Sequence, residues 1–128
     1  VTDIRFHTGV EDRTLYACRL LRKAARQGSR VLVRGEGPEM DLLDKALWTF
    51  DPQDFLPHHR LRRGQPVPSS LQRTPVWLMD QDDAWPDGLS AARVLVHLGH
   101  LPADDADHWE RMIELVTQED EDRRQARQ

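Results

Sequence analysis

The sequence predicts a single α/β domain with a mostly parallel central sheet flanked by helices. Three observations carry this. Short apolar β-branched runs alternate with amphipathic helical runs along the chain, the pattern of a parallel sheet with crossover helices. The 128 residues suit one domain with a core of its own. No internal repeat or low-complexity tract divides the chain. One domain over residues 1–128 is therefore expected.

Ile4-Arg5-Phe6-His7 alternates apolar and polar and predicts a strand over residues 3–8. Leu15, Cys18, Leu21 and Ala25, with Ala17, Leu20 and Ala24, fall on one face of a helix over residues 12–27. Gly28 is a natural stop for it. Residues 30–34, RVLVR, read as a second strand. Pro38 suits the first turn of a helix over residues 38–49, because its missing N–H is not needed there. Met40, Leu43, Ala46 and Leu47 form the apolar side of that helix.

Residues 54–59 read as a short extended segment and residues 60–74, with Gly64, Pro66 and Pro68, as a loop. Residues 75–79, PVWLM, predict a strand, and 80–88 an acidic turn region. Residues 92–98 predict a strand buried on both faces. Trp109, Met112, Ile113 and Val116 have the spacing of a helical face, predicting a helix over 103–116. A charged helix over about 119–128 is expected to follow.

Composition limits the function. The chain is 38% hydrophobic and 31% charged, with a net charge of −4. No apolar run approaches the ~18 residues a membrane span needs. VTDIRFHTGV lacks the basic head and apolar core of a secretory signal. The lone Cys18 cannot form an internal disulfide, and a reducing cytoplasm is the expected compartment. Residues 54–75 hold four arginines (Arg60, Arg62, Arg63, Arg73) against Asp54, whereas residues 76–128 hold thirteen acids against five arginines. An acidic chain is a poor general DNA binder. Arg60, Arg62 and Arg63 read as a solvated loop.

Catalytic patterns are weak. Gly35-Glu36-Gly37 lies between a strand and a helix, as a dinucleotide loop would, but Met40 stands where the third glycine belongs. Pro38 removes a donor, and Glu36 and Glu39 would repel a pyrophosphate. The topology is thus nucleotide-binding-like without a phosphate loop. His58 and His59 are adjacent and point apart if extended. His97 and His100 do not complete a set of three or four metal ligands. Asp104, Asp105 and Asp107 suit a helix start. Ser29, Ser69, Ser70 and Ser90 lack a nucleophile setting. Cys18 falls on the buried side of its helix and reads as core. No cofactor and no metal is expected.

The aromatics remain. Trp48 and Phe50 close the second predicted helix, and Phe55 follows an acidic loop. All four tryptophans do not fit easily into so small a core. Core packing and a protein interface stand as equal alternatives for Trp48 and Phe55.

Leu43-Asp44-Lys45-Ala46-Leu47-Trp48, a gap containing Pro52, then Asp54-Phe55-Leu56-Pro57-His58 resembles the chi subunit family of the bacterial DNA polymerase III holoenzyme. There, an L-D-x-x-L-W helix end precedes x-F-[VIL]-P-H. The order of the other elements is similar over essentially the whole chain. The resemblance implies a non-enzymatic adaptor in the cytoplasm, within the nucleoid-associated replisome. It binds the psi subunit on one surface, or a helicase in its place, and the acidic tail of single-stranded DNA-binding protein on another. It implies no direct nucleic-acid contact and a monomer within a heterodimer.

The positions matching the psi-facing surface are Trp48 and Phe55, with Phe50, Leu56, Pro57 and His58 as neighbours. Arg127 matches an arginine that captures the tail's carboxylates. Arg124 and Arg123 lie a turn earlier, and Val116 is expected to line the pocket for the tail's final aromatic. An arginine fork suits a carboxylate. The resemblance implies further aromatic and basic residues beyond the position of Gln128, so either this member is naturally short or its C-terminal helix is truncated there. Glu119-Asp120-Glu121-Asp122 would repel an acidic tail, leaving binding weak and salt-sensitive. The alternatives are a nucleotide-binding or hydrolytic enzyme on a Rossmann-like fold, and a direct DNA binder through the Arg60–Arg73 segment.

Overall fold

In a computed structural model, residues 3–49, 56–62, 74–80, 94–98 and 109–117 are described. Six strands and two helices follow in the order β1 (Asp3–Val10), α1 (Arg13–Arg26), β2 (Val31–Gly35), α2 (Gly37–Thr49), β3 (His58–Arg60), β4 (Val76–Asp80), β5 (Val94–Leu98) and β6 (Arg111–Thr117). The strands form one sheet in the order β1-β6-β5-β2-β4-β3. Every pairing is parallel.

The chain crosses the sheet from β1 to β2 and on to β3 in one direction. Right-handed crossovers then place α1 and α2 on the same face. Under them lie Val31, Val33, Val76, Leu78, Val96, Leu98, Ile113 and Leu115, closed over by Ala17, Cys18, Leu21, Met40, Leu43 and Leu47. The alternate positions Leu32, Trp77, Met79 and Leu95 form a second core with Leu61 and Trp109 on the other face. The central strands are thus apolar on both faces, as parallel sheets require.

Local chemistry sets the helix ends. The Asp12 side chain accepts the Leu15 N–H at 3.1 Å and caps α1. At the other end Gly28 adopts φ +80°. Its N–H donates to the Ala25 carbonyl and that of Ser29 to the Ala24 carbonyl, each at 3.0 Å, the Schellman arrangement that favours glycine. Pro38 falls in the first turn of α2.

Two expectations are corrected. Residues 111–117 are strand β6, not the end of a helix over 103–116. The spacing of Trp109, Met112, Ile113 and Val116 fits a helical face. However, β6 is held on both sides, by β1 and by β5. With that pairing available, the period of two governs: Ile113 and Leu115 face the helices, while Met112, Glu114 and Val116 face away. Tertiary pairing and the β-branched Ile113, Val116 and Thr117 outweigh a helical spacing in so short a segment. Second, Arg60 belongs to strand β3, not to a solvated loop. The acidic turn over 80–88 beyond Asp80, the start of the 103–116 segment and the helix over 119–128 lie outside the described residues.

Candidate functional site

The C-terminal half of α2 and strand β3 build the site. Asp44 and Trp48 are four residues apart and share a side of α2. Trp48 is 59% exposed. Two turns of α2 earlier, Leu42 is also exposed on the flank of Lys45. The Thr49 hydroxyl donates to the Lys45 and Ala46 carbonyls at 3.4 Å, occupying acceptors that the helix end leaves open.

His58 joins β3 to this helix. Its Nδ1 donates to the Leu56 carbonyl at 2.8 Å. Its Nε2 lies 3.0 Å from Asp44 Oδ1, with the His58 side chain fully buried and that of Asp44 29% exposed. This second approach is a close contact and not an aligned hydrogen bond. The imidazole edge meets the Trp48 indole at a centroid distance of 5.2 Å and an interplanar angle of 66°, a favourable edge-to-face geometry. Leu56 is buried in the helix-side core, and Pro57 is exposed. Phe50 and Phe55 lie outside the described residues.

A second layer holds β3. Arg60 Nε lies 3.1 Å from Asp41 Oδ1, and Arg60 Nη1 donates to the Leu61 carbonyl at 2.7 Å. The Arg60 side chain is only 9% exposed. Arg62 approaches the same carboxylate at 3.6 Å. Asp41 thus draws two arginines of the proposed DNA-binding segment toward α2. Arg63 and Arg73 lie outside the described residues. Burial holds the next imidazole, His59, below its ordinary pKa; the Asp44 charge opposes this and His58 adds to it. Asp41 and Asp44 were not among the residues the sequence nominated. Their spacing from Lys45 and Trp48 was visible, but their partners come from a strand more than ten residues away.

The start of α2, where a nucleotide's phosphates would lie, is lined with anions. Asp80 Oδ2 lies 2.5 Å from where a β-carbon on Gly37 would be. Glu39 receives a two-pronged contact from Arg13, at 2.6 and 2.9 Å. Glu36 is exposed at the same end. The protein's own carboxylates occupy the electropositive helix end. Among the described residues, no three His, Cys, Asp or Glu side chains are grouped as metal ligands. Cys18 is buried in the core, and burial pushes its thiol up to about 11, the state of an inert structural cysteine. No helix among the described residues is long and apolar enough to cross a membrane.

The positions expected to bind an acidic tail are not brought together within the described residues. Val116 is in β6 and only 2% exposed. Arg123, Arg124 and Arg127 lie outside the described residues.

The described residues thus form a parallel α/β domain with an anionic helix start and an exposed tryptophan beside an edge strand. The family model described as DNA polymerase III chi subunit, HolC, matches residues 1–128. The chain belongs to that family, whose members are accessory subunits of the polymerase in DNA replication. Membership implies association with other DNA polymerase III subunits. No curated protein matches the chain.

Proposed function

We propose that this chain is a non-catalytic replisome adaptor whose α2–β3 face docks the psi subunit. It would thereby link the clamp-loader complex to single-stranded DNA-binding protein in the bacterial cytoplasm. The observation that carries the psi-facing reading is Trp48. It is 59% exposed on a regular helix, beside a strand tied to that helix by the Arg60–Asp41 ion pair. A large, pre-positioned aromatic loses little entropy on binding, which is why tryptophan is enriched at interface hot spots. Phe55, Phe50, Leu56, Pro57 and His58 complete this face in the proposal, with Leu56 supporting it from the core. A helicase that uses the same face would compete with psi.

The second arm assigns Arg127, Arg124 and Arg123 to the tail of single-stranded DNA-binding protein. Its support is the family resemblance and the affinity of arginine for carboxylates. Val116, buried in β6, offers little surface to such a site. Each protomer would act as a monomer within a heterodimer, with no direct contact to nucleic acid and no cofactor.

Co-purification of the tagged chain with psi tests the first arm. Retention of psi by wild type and its loss with Trp48→Ala is the expected result. Equal retention by both would remove Trp48 from the interface. Fluorescence titration with an acidic peptide ending in Phe tests the second arm, which predicts a signal at low salt that fades as salt rises. The enzymatic alternative predicts thermal stabilisation by ATP or NAD. The adaptor reading predicts none, because carboxylates line the α2 start.

A further inference from the structure

His58 is clasped between two acceptors while its ring edge rests on an exposed indole. The Leu56 carbonyl takes the Nδ1 proton at 2.8 Å, and Asp44 Oδ1 lies 3.0 Å from Nε2. The imidazole centroid lies 5.2 Å from that of Trp48. Asp44 and Trp48 come from one helix, and His58 from the strand beside it. A buried ring hydrogen-bonded at Nδ1, with a carboxylate close to Nε2, has lost the rotation that χ2 would otherwise allow. A tryptophan leaning on such a ring is restricted in turn.

We propose that Asp44 and His58 are positioning residues that hold the Trp48 indole in its exposed, docking-ready orientation. The proposal deepens the psi-docking reading and rests on it for the consequence for affinity. Preorganising a contact residue raises affinity by reducing what must be ordered on binding. Removing Asp44 should therefore weaken docking without removing an atom of the docking surface.

Two measurements on the full chain decide this. The first uses 5-fluorotryptophan labelling, with the Trp48 fluorine resonance assigned by Trp48→Phe. Asp44→Ala is expected to shift or broaden that resonance and leave those of Trp77 and Trp109 in place. His58→Gln, which keeps a donor able to reach Asp44, is expected to restore most of the wild-type signal relative to His58→Ala. Asp44 is partly exposed, so its variant remains informative if His58→Ala does not fold. An unchanged Trp48 resonance in Asp44→Ala overturns the brace.

The second is a double-mutant cycle against the psi subunit. Asp44→Ala is expected to weaken binding roughly tenfold, within the coupling range of residues in contact. In the Trp48→Ala background it is expected to do nothing further. An equal loss in both backgrounds would mean that Asp44 touches the partner itself, and no loss in the wild-type background would mean that the brace is idle. Either result overturns the positioning role. If Trp48→Ala alone leaves psi binding intact, the docking reading fails, and the fluorine measurement still judges the brace.

Discussion

Trp48 is exposed because its side of α2 points away from the sheet, whereas Met40, Leu43 and Leu47 point into it. The same division explains the unequal fates of the tryptophans. Trp77 and Trp109 are buried in the second core, and only Trp48 among the described tryptophans meets solvent. Composition indicated that not all four would be buried, and the spacing of Trp109 with Met112, Ile113 and Val116 placed it inward, where it lies, though in a strand-side core and not on a helix. Cys18 lends itself to a test at this scale. Burial, followed by the Asp12 charge, raises its thiol from 9.0 to about 11. A thiol raised on folding contributes stability that is complete below its unfolded pKa and is lost as the pH climbs through its folded value. Urea midpoints should therefore fall across pH 9 to 11 in wild type and fall less in Cys18→Ala. At neutral pH, Cys18 should react with a disulfide reagent much more slowly in the native protein than in urea. A second residue-level expectation concerns Arg13 and Glu39. Their two-pronged contact is largely shielded from water, so Glu39→Gln should cost roughly 1–3 kcal/mol in chemical unfolding, as for a charged hydrogen-bonded pair.

The elements differ in how openly the sequence declared them. α1 was legible at both ends, since Asp12 and Gly28 are residues whose chemistry starts and stops a helix. The strands β2, β4 and β5 were legible as apolar runs. β6 was not. Met112, Ile113 and Val116 satisfy a helical spacing, and the chain alone does not show that β1 and β5 will both pair with the segment. A parallel strand draws its hydrogen bonds from partners distant in sequence, and local periodicity carries no trace of them. β3 was seen only as a short extended segment because three residues leave little pattern to read. The junction of β2 and α2 provides an element-scale test. A β-carbon at Gly35 would lie 3.0 Å from the Leu98 carbonyl and 2.9 Å from the Met40 methyl. The methyl can swing away, but the backbone carbonyl of β5 cannot. Gly35→Ala should destabilise the protein by roughly 1–3 kcal/mol, as overpacking does, read as a lowered urea midpoint with an unchanged slope.

At the scale of the molecule, topology decides what the protein can do. Both described helices lie on one face of the sheet, and α2 runs beside the short edge strand β3. That places Trp48 and His58, ten residues apart, in direct contact at the sheet edge. The sequence could list the members of this face by resemblance, but not the brace that orders it. Asp41 holds Arg60 and draws Arg62 close, and Asp44 contacts His58. These contacts tie Arg60, and more loosely Arg62, to α2. In the proposed function this face docks the psi subunit through Trp48, and isothermal titration of psi into the full chain measures that contact. Trp48→Ala, with an unchanged circular dichroism spectrum, should weaken binding by roughly thirtyfold or more, the loss of about 2 kcal/mol that defines a hot spot. Binding of psi to Trp48→Ala with wild-type affinity would mean that psi docks elsewhere.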